Sequence, residues 1–381
     1  MTIRKHTVYI TKVQNEDVYS ALKPTHDEIL TEAFLSGIEK VLIKPNFLNS
    51  SSAETGVTTD LRIIEGLIEI LKEKGIKEIY VGEASFEKTK RVFESLDVYN
   101  LEQDGVKVVN FEEDEWIVVE SPLKLALKCF HLPKTVMDCD LIINVAKMKT
   151  HSETGVSLGI KNLLGCILKR ERMAGHIMGI EKTILDVFSY LTENKRMVSV
   201  IDGIYALEGR LGPANGNPVK MDLIIAGTDP VAVDAASVRI MGYSPERIRH
   251  IMLASGFGFG EMENYEVSGE SIENVKRRFD MPPRIPSFRS YLLSYLMEEF
   301  FKKIPYPKFE ERCTGCESCA LSCPIGNITL INSKINIDKK ECIGCMVCIE
   351  ACRRGILDYR VQHELIYGVG RFVYKLVLRG D

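Results

Sequence analysis

Eight of the eleven cysteines lie between Cys313 and Cys352, in two runs that repeat one spacing. The first run is Cys313, Cys316, Cys319 and Cys323, and the second is Cys342, Cys345, Cys348 and Cys352. Each reads C-x2-C-x2-C-x3-C. Four chemistries compete for thiols at this density: disulfides, structural zinc, a redox dithiol and iron–sulfur clusters. Disulfides need an oxidising compartment, and the opening MTIRKHTVYI shows no apolar stretch ending in a small-residue cleavage site. Structural zinc usually takes two pairs of ligands separated by a longer loop. Three thiolates at three-residue intervals instead fold around one face of a cubane, and the fourth comes from elsewhere. The spacing favours iron and sulfide.

The doubled run resembles a two-cluster bacterial ferredoxin over about residues 310–358. That resemblance implies two [4Fe-4S] clusters with crossed ligation. Cys313, Cys316, Cys319 and Cys352 would hold one, and Cys342, Cys345, Cys348 and Cys323 the other. Pro324 follows Cys323 as the pattern expects, but Arg353 and Arg354 follow Cys352. Two cations there favour the more negative, reduced state of the cluster that Cys352 helps to hold, so the two potentials are expected to differ.

A second set of reactive residues lies upstream, and it needs a scaffold. Apolar runs such as EKVLIK, IKEIYVGE, VKVVNF, DLIINVA, MVSVID and MDLIIAG read as buried strands. Between them, DLRIIEGLIEILKEKG, IEKTILDVFSYLTEN and PVAVDAASVRIMG have helical periods. The alternation predicts an α/β fold with a mostly parallel sheet, and the ferredoxin resemblance implies a small α+β ferredoxin-like domain after it. Ligands of open α/β sheets sit beyond the carboxyl ends of the strands. Five polar segments are expected there: Lys44-Pro45-Asn46, Gly82-Glu83-Ala84-Ser85, Lys147 to His151, Asp202-Gly203 and Thr228-Asp229-Pro230.

The densest of these is NVAKMKTHSETGVSLGIKNLLGC, read as a strand running into a Gly-containing loop. Lys147, Lys149, His151 and Lys161 there can surround an anion, with Gly155 and Gly159 leaving backbone N–H groups free. Lys44, Asn46, Lys149, Lys161, Asn162, Glu208 and Arg210 are the expected substrate-binding residues. Lys147, His151 and His176 are the expected catalytic ones, an imidazole titrating near neutrality. The G-x-x-x-x-G-K-[ST] spacing of a P-loop is absent, and no G-x-G-x-x-G follows a strand.

These segments carry a family likeness. KPN after an early strand, K-M-K-T-H with G-x-K-N-L-x-G, the E-G-x-x-G-P loop and DPVAVDA resemble the domain of unknown function 362 family over about residues 38–245. The resemblance implies an iron–sulfur-associated protein and supplies no substrate. A fainter likeness, to the nickel-dependent lactate racemase family, rests on a similar α/β layout with Lys and His in its loops.

The remaining composition narrows the function. In 381 residues, 49 Lys and Arg nearly balance 53 Asp and Glu, so no basic field argues for nucleic acid. No apolar run reaches the ~20 residues a spanning helix needs, and a cytoplasmic location is expected. The expected plan is an α/β domain over 1–285, a helical linker at 286–308, a ferredoxin domain at 309–360, and a tail at 361–381 that packs on the first domain. SYLLSYLMEEFF in the linker reads as a packed helix rather than a membrane-surface one. Electrons from a soluble one-electron donor protein would pass through the clusters to reduce an anionic small molecule held by the α/β domain. The alternative is a non-catalytic electron-transfer or cluster-delivery protein whose α/β domain docks a partner.

Overall fold

The computed structural model describes residues 6–209, 216–281 and 303–321, then 323, 325–331, 334–339, 341–342, 348–349, 352 and 354–361. Arg210, Cys345, the 286–302 part of the linker and the tail from 362 lie outside the described residues.

The strands are β1 (His6–Lys12), β2 (Lys40–Lys44), β3 (Glu78–Glu83), β4 (Val106–Asn110), β5 (Trp116–Glu120), β6 (Cys129–Pro133), β7 (Leu141–His151) and β8 (Gly155–Ser157). They continue as β9 (Arg196–Glu208), β10 (Asn217–Gly227), β11 (Tyr265–Gly269), β12 (Lys303–Pro307), β13 (Ile328–Ile331), β14 (Lys334–Ile337) and β15 (Leu357–Val361). One nine-stranded sheet runs β11-β1-β10-β9-β7-β2-β3-β4, with β8 folded back on β7. The β9-β7-β2-β3-β4 half is parallel throughout. The fold is therefore a mostly parallel α/β sheet, with antiparallel pairs at β10.

Both faces are covered, as the apolar strand cores require. Ile63, Ile64, Leu67, Ile68, Ile70 and Leu71 of the helix Leu61–Glu73 join Val41, Ile43 and Val145 on one face. Leu42, Ile142 and Ala146, one residue out of phase, meet the helices Ile180–Asn194 and Pro230–Ile240 on the other. Strand alternation distributes these side chains to opposite faces.

Two sequence expectations need correction. β10 runs antiparallel to β9, pairing Gly227 with Ser199, so its carboxyl end points to the opposite edge of the sheet. Thr228-Asp229-Pro230 is thereby removed from the shared edge, and Asp229 caps the helix Pro230–Ile240 instead, accepting from Val231 N and Ala232 N. The second concerns β7, which continues through Lys147 and Lys149 to His151 rather than becoming a loop. A register shift against β9 between Lys147 and Lys149 accommodates it.

β5 and β6 form a separate antiparallel hairpin. The loop before β6 is pinned by buried Asp186, whose carboxylate accepts from Ser121 Oγ and from the N–H groups of Leu125, Ala126 and Leu127. In the cysteine region β12 pairs with β15 and β13 with β14, both antiparallel. Among the described residues no helix is long and apolar enough to cross a membrane.

The helix Val18–Ile29 buries His26, whose Nδ1 lies 2.9 Å from Leu22 O while Nε2 has no partner among the described residues. Burial pushes its pKa down from 6.5 to about 4. Below pH 6.5 the unfolded chain takes up a proton that the folded chain refuses, so stability is lost as pH falls towards 4. His26→Leu is expected to shrink the stability difference between pH 8 and pH 5 by about 2 kcal/mol, read by urea unfolding at both pH values.

Candidate functional site

Four neighbouring parallel strands deliver charged residues to one edge. β2 ends on Lys44 and β3 on Glu83, while β7 and β9 set Lys147 opposite Asp202. Lys44 Nζ donates to Glu83 Oε2 at 2.7 Å and to Pro45 O at 2.7 Å. Glu83 also accepts from Phe47 N and Ala84 N. Lys147 Nζ donates to Asp202 Oδ2 at 2.9 Å, and Asp202 accepts further from Asp60 N and Ile204 N. Both ion pairs are buried. Charges survive burial only with such partners, and here the backbone donors complete each carboxylate.

An amide network extends from the first of these pairs, Lys44 Nζ also reaching Asn162 Oδ1 at 3.3 Å. Lys149 Nζ donates to Asn46 Oδ1 at 2.6 Å and to Val57 O at 3.0 Å. Asn46 Nδ2 donates to Asn162 Oδ1 at 2.8 Å, and Asn162 Nδ2 donates to Asn144 Oδ1 at 2.8 Å. Asn144 Nδ2 reaches Gly159 O at 2.7 Å. A Cβ at Gly165 would stand 2.4 Å from Glu83 Oε1 and 2.6 Å from Lys44 Nζ, so only glycine lets the chain pass so close to this ion pair.

Lys161 differs from the other three lysines. Its amine has no hydrogen-bond or ion-pair partner among the described residues, and it is half-buried. Burial pushes its pKa from 10.5 down to about 8, with Glu153 opposing the shift and Arg172 adding to it. Lys149 is held well below its ordinary value by burial, with Lys161 and Lys147 adding to the shift.

The field of Lys161 also reaches two buried imidazoles. His151 is pushed down to about 2, by burial first and then by Lys161 and Lys149. Its Nδ1 accepts from Glu153 N and Thr154 N, which assigns the proton to Nε2. It is therefore a neutral N–H donor at ordinary pH, not the near-neutral acid that its residue type suggests. His250 falls to about 3 by burial, and neither ring nitrogen has a partner among the described residues. Behind them Asp234 accepts from Gly159 N and Ile160 N, and burial raises its pKa to about 7.

Of the residues expected from sequence, Lys44, Asn46, Lys149 and Asn162 form one bonded network, Lys147 pairs separately with Asp202, and Lys161 and His151 are electrostatically coupled to Lys149. His176 lies exposed, its Nδ1 2.6 Å from Glu153 Oε2. Glu208 is engaged elsewhere, accepting from Arg277 Nη2 and Asp280 N. Sequence reasoning placed Glu83 and Asp202 at the ligand edge without giving them a role, and it did not single out Asn144 or His250. The lysines themselves hold the missing signal, since buried ammoniums require carboxylates, and Glu83 and Asp202 are the acids at neighbouring strand ends.

The thiols of the cysteine region suit iron–sulfur ligation. Cys313 and Cys352, from the two runs, both pack against the small core that holds Cys319, which is compatible with crossed ligation. Cys319, Cys323 and Cys348 share a small core with Ile328, Ile335, Ile356 and Leu357. Asn327 N donates to Cys323 Sγ at 3.2 Å.

Residues 41–239 match the family described as domain of unknown function (DUF362), and residues 308–353 match a 4Fe-4S dicluster domain. A thylakoid-associated protein of Synechocystis sp. is 26% identical over 220 residues, 56% of this chain and 67% of that protein. An uncharacterized protein of Methanocaldococcus jannaschii is 36% identical over 50 residues, 13% of this chain and 19% of its own length. The lactate racemase apoprotein from Thermoanaerobacterium thermosaccharolyticum aligns with a TM-score of 0.39 at 13% identity, over 63% of this chain and 57% of that one.

Proposed function

The chain belongs to the DUF362 family and carries a 4Fe-4S dicluster domain, and from that premise we propose an iron–sulfur reductase acting on an anionic small molecule. Bound clusters supply single electrons, so bond chemistry falls to the α/β domain. One observation carries the reading. Lys44, Lys147 and Lys149 are each held by the protein, whereas Lys161 Nζ has no partner among the described residues and its charge acts on two buried, neutral imidazoles. A carboxylate or phosphate group would take the place of that missing partner. As negative charge builds on the acceptor, the Lys161 ammonium and the His151 Nε2–H stabilise it, and Lys161, lowered to about 8, can also give up a proton.

The test is reoxidation of the dithionite-reduced protein, followed by visible absorbance without oxygen, against a panel of small carboxylates and phosphates. One or more anions should reoxidise it, and Lys161→Ala should lose at least about tenfold in apparent affinity. The wild-type affinity should fall about tenfold per unit above pH 8, as the ammonium is lost, and Lys161→Gln should flatten that dependence. If no anion reoxidises the protein while a one-electron partner protein does, the carrier reading replaces this one.

A further inference from the structure

The cysteine region touches the α/β domain at one end. Cys129 Sγ, at the start of β6, donates to Leu321 O at 3.4 Å and to Cys323 O at 3.7 Å. Beside it, the Lys128 side chain approaches the next turn, its Nζ 3.4 Å from where a Cβ on Gly326 would stand. Gly326 itself sits at φ +62°, and its N–H donates to Cys323 O. Cys316 is exposed and makes no such contact with the α/β domain among the described residues.

On the α/β side the contact continues inward without a break. Two residues along β6, His131 offers both its backbone N–H and its Nδ1 to buried Glu171, at 3.1 and 2.6 Å. The next residue, Arg172, donates from Nη1 to Ala84 O at 2.8 Å, at the end of β3 where Glu83 holds Lys44. Its Nε and Nη2 are buried without a partner among the described residues. Asp186 fixes the loop that leads into β6, so this seam is stiff.

We propose that the Cys323 end of the dicluster region, and not the Cys313 end, is coupled to the lysine site, with Lys128 and Cys129 as its contact and His131–Glu171 as the clamp that positions them. Electrons would enter at the Cys313 end from a soluble donor protein and leave one at a time at the Cys323 end. Each electron given up there is gained by the bound acceptor. The direction of flow rests on the reductase reading above; the identity of the near end does not.

Lys128 allows a test that needs no substrate, because it is exposed and its replacement leaves the core intact. The holoprotein is titrated with dithionite under EPR detection, and the signal of the Cys323 cluster is assigned from its loss in Cys342→Ser. Lys128→Glu should make the midpoint of that cluster more negative, since a nearby anion opposes added negative charge, while the other midpoint stays put. Lys128→Arg should leave both as in wild type, and raised salt should shrink the Lys128→Glu shift. No shift, an equal shift in both clusters, or a shift confined to the Cys313 cluster would overturn the assignment. Failure of every anion to reoxidise the protein would sink the reductase reading and leave this result standing.

Discussion

Lys147→Met is expected to destabilise the protein by about 3–5 kcal/mol while leaving its iron content unchanged. The methionine fills most of the space but leaves the Asp202 carboxylate buried with only Asp60 N and Ile204 N as donors. An uncompensated buried anion costs far more than the pair contributes when intact. Adding Asp202→Asn should recover part of the loss. The recovery is partial, since Asn keeps one acceptor oxygen and its amide nitrogen cannot accept from the second backbone N–H. Urea unfolding of the two single variants and the double variant gives the coupling directly. Equal, additive losses would show that Lys147 and Asp202 do not stabilise one another.

The second large effect concerns crossed ligation. The anaerobically purified protein should carry about eight iron and eight sulfide per chain, which defines two cubanes. Cys319→Ala and Cys352→Ala, which lie in different runs, should perturb the same EPR signal and leave the other. Cys342→Ala should do the reverse. The resemblance to a two-cluster ferredoxin is the basis for this pairing, and Cys313 and Cys352 pack against the core that holds Cys319. If Cys352→Ala matched Cys342→Ala instead, each run would hold its own cluster and the crossed assignment would fail.

Much of the scaffold was legible from apolar pattern alone. EKVLIK, IKEIYVGE and DLIINVA fall on β2, β3 and β7, and IEKTILDVFSYLTEN spans the helix Ile180–Asn194 to the residue. Buried strands and two-faced helices announce themselves because burial constrains every residue in the run. The last third of β7 was illegible for the opposite reason. Lys147, Lys149 and His151 read as loop residues around an anion, and only partners on β9, on the segment after β2 and on the loop before β8 show how they are buried. Strand direction was hidden too: nothing in MDLIIAG tells whether it runs with or against MVSVID. The same blindness applied to His151, whose residue type predicts an acid near pH 7 but whose neighbours keep it neutral. Residue identity limits what chemistry is available, and the surrounding field selects among the options.

The placement of β1 has a consequence in time. It lies between β10 and β11, pairing Tyr9 with both Ala226 and Ser268. During synthesis at ~5–20 residues per second, this apolar segment therefore waits roughly 10–40 s after it is made for either neighbour to emerge. Until then its backbone donors and acceptors have no ladder to join, and the nascent chain exposes an edge that chaperones or other chains can occupy. The parallel half from β2 to β4 and β7 can assemble meanwhile. Closing the sheet with β1 is thus a late event, and ribosome-bound chains halted before β10 should be the ones most readily cleaved near their beginning.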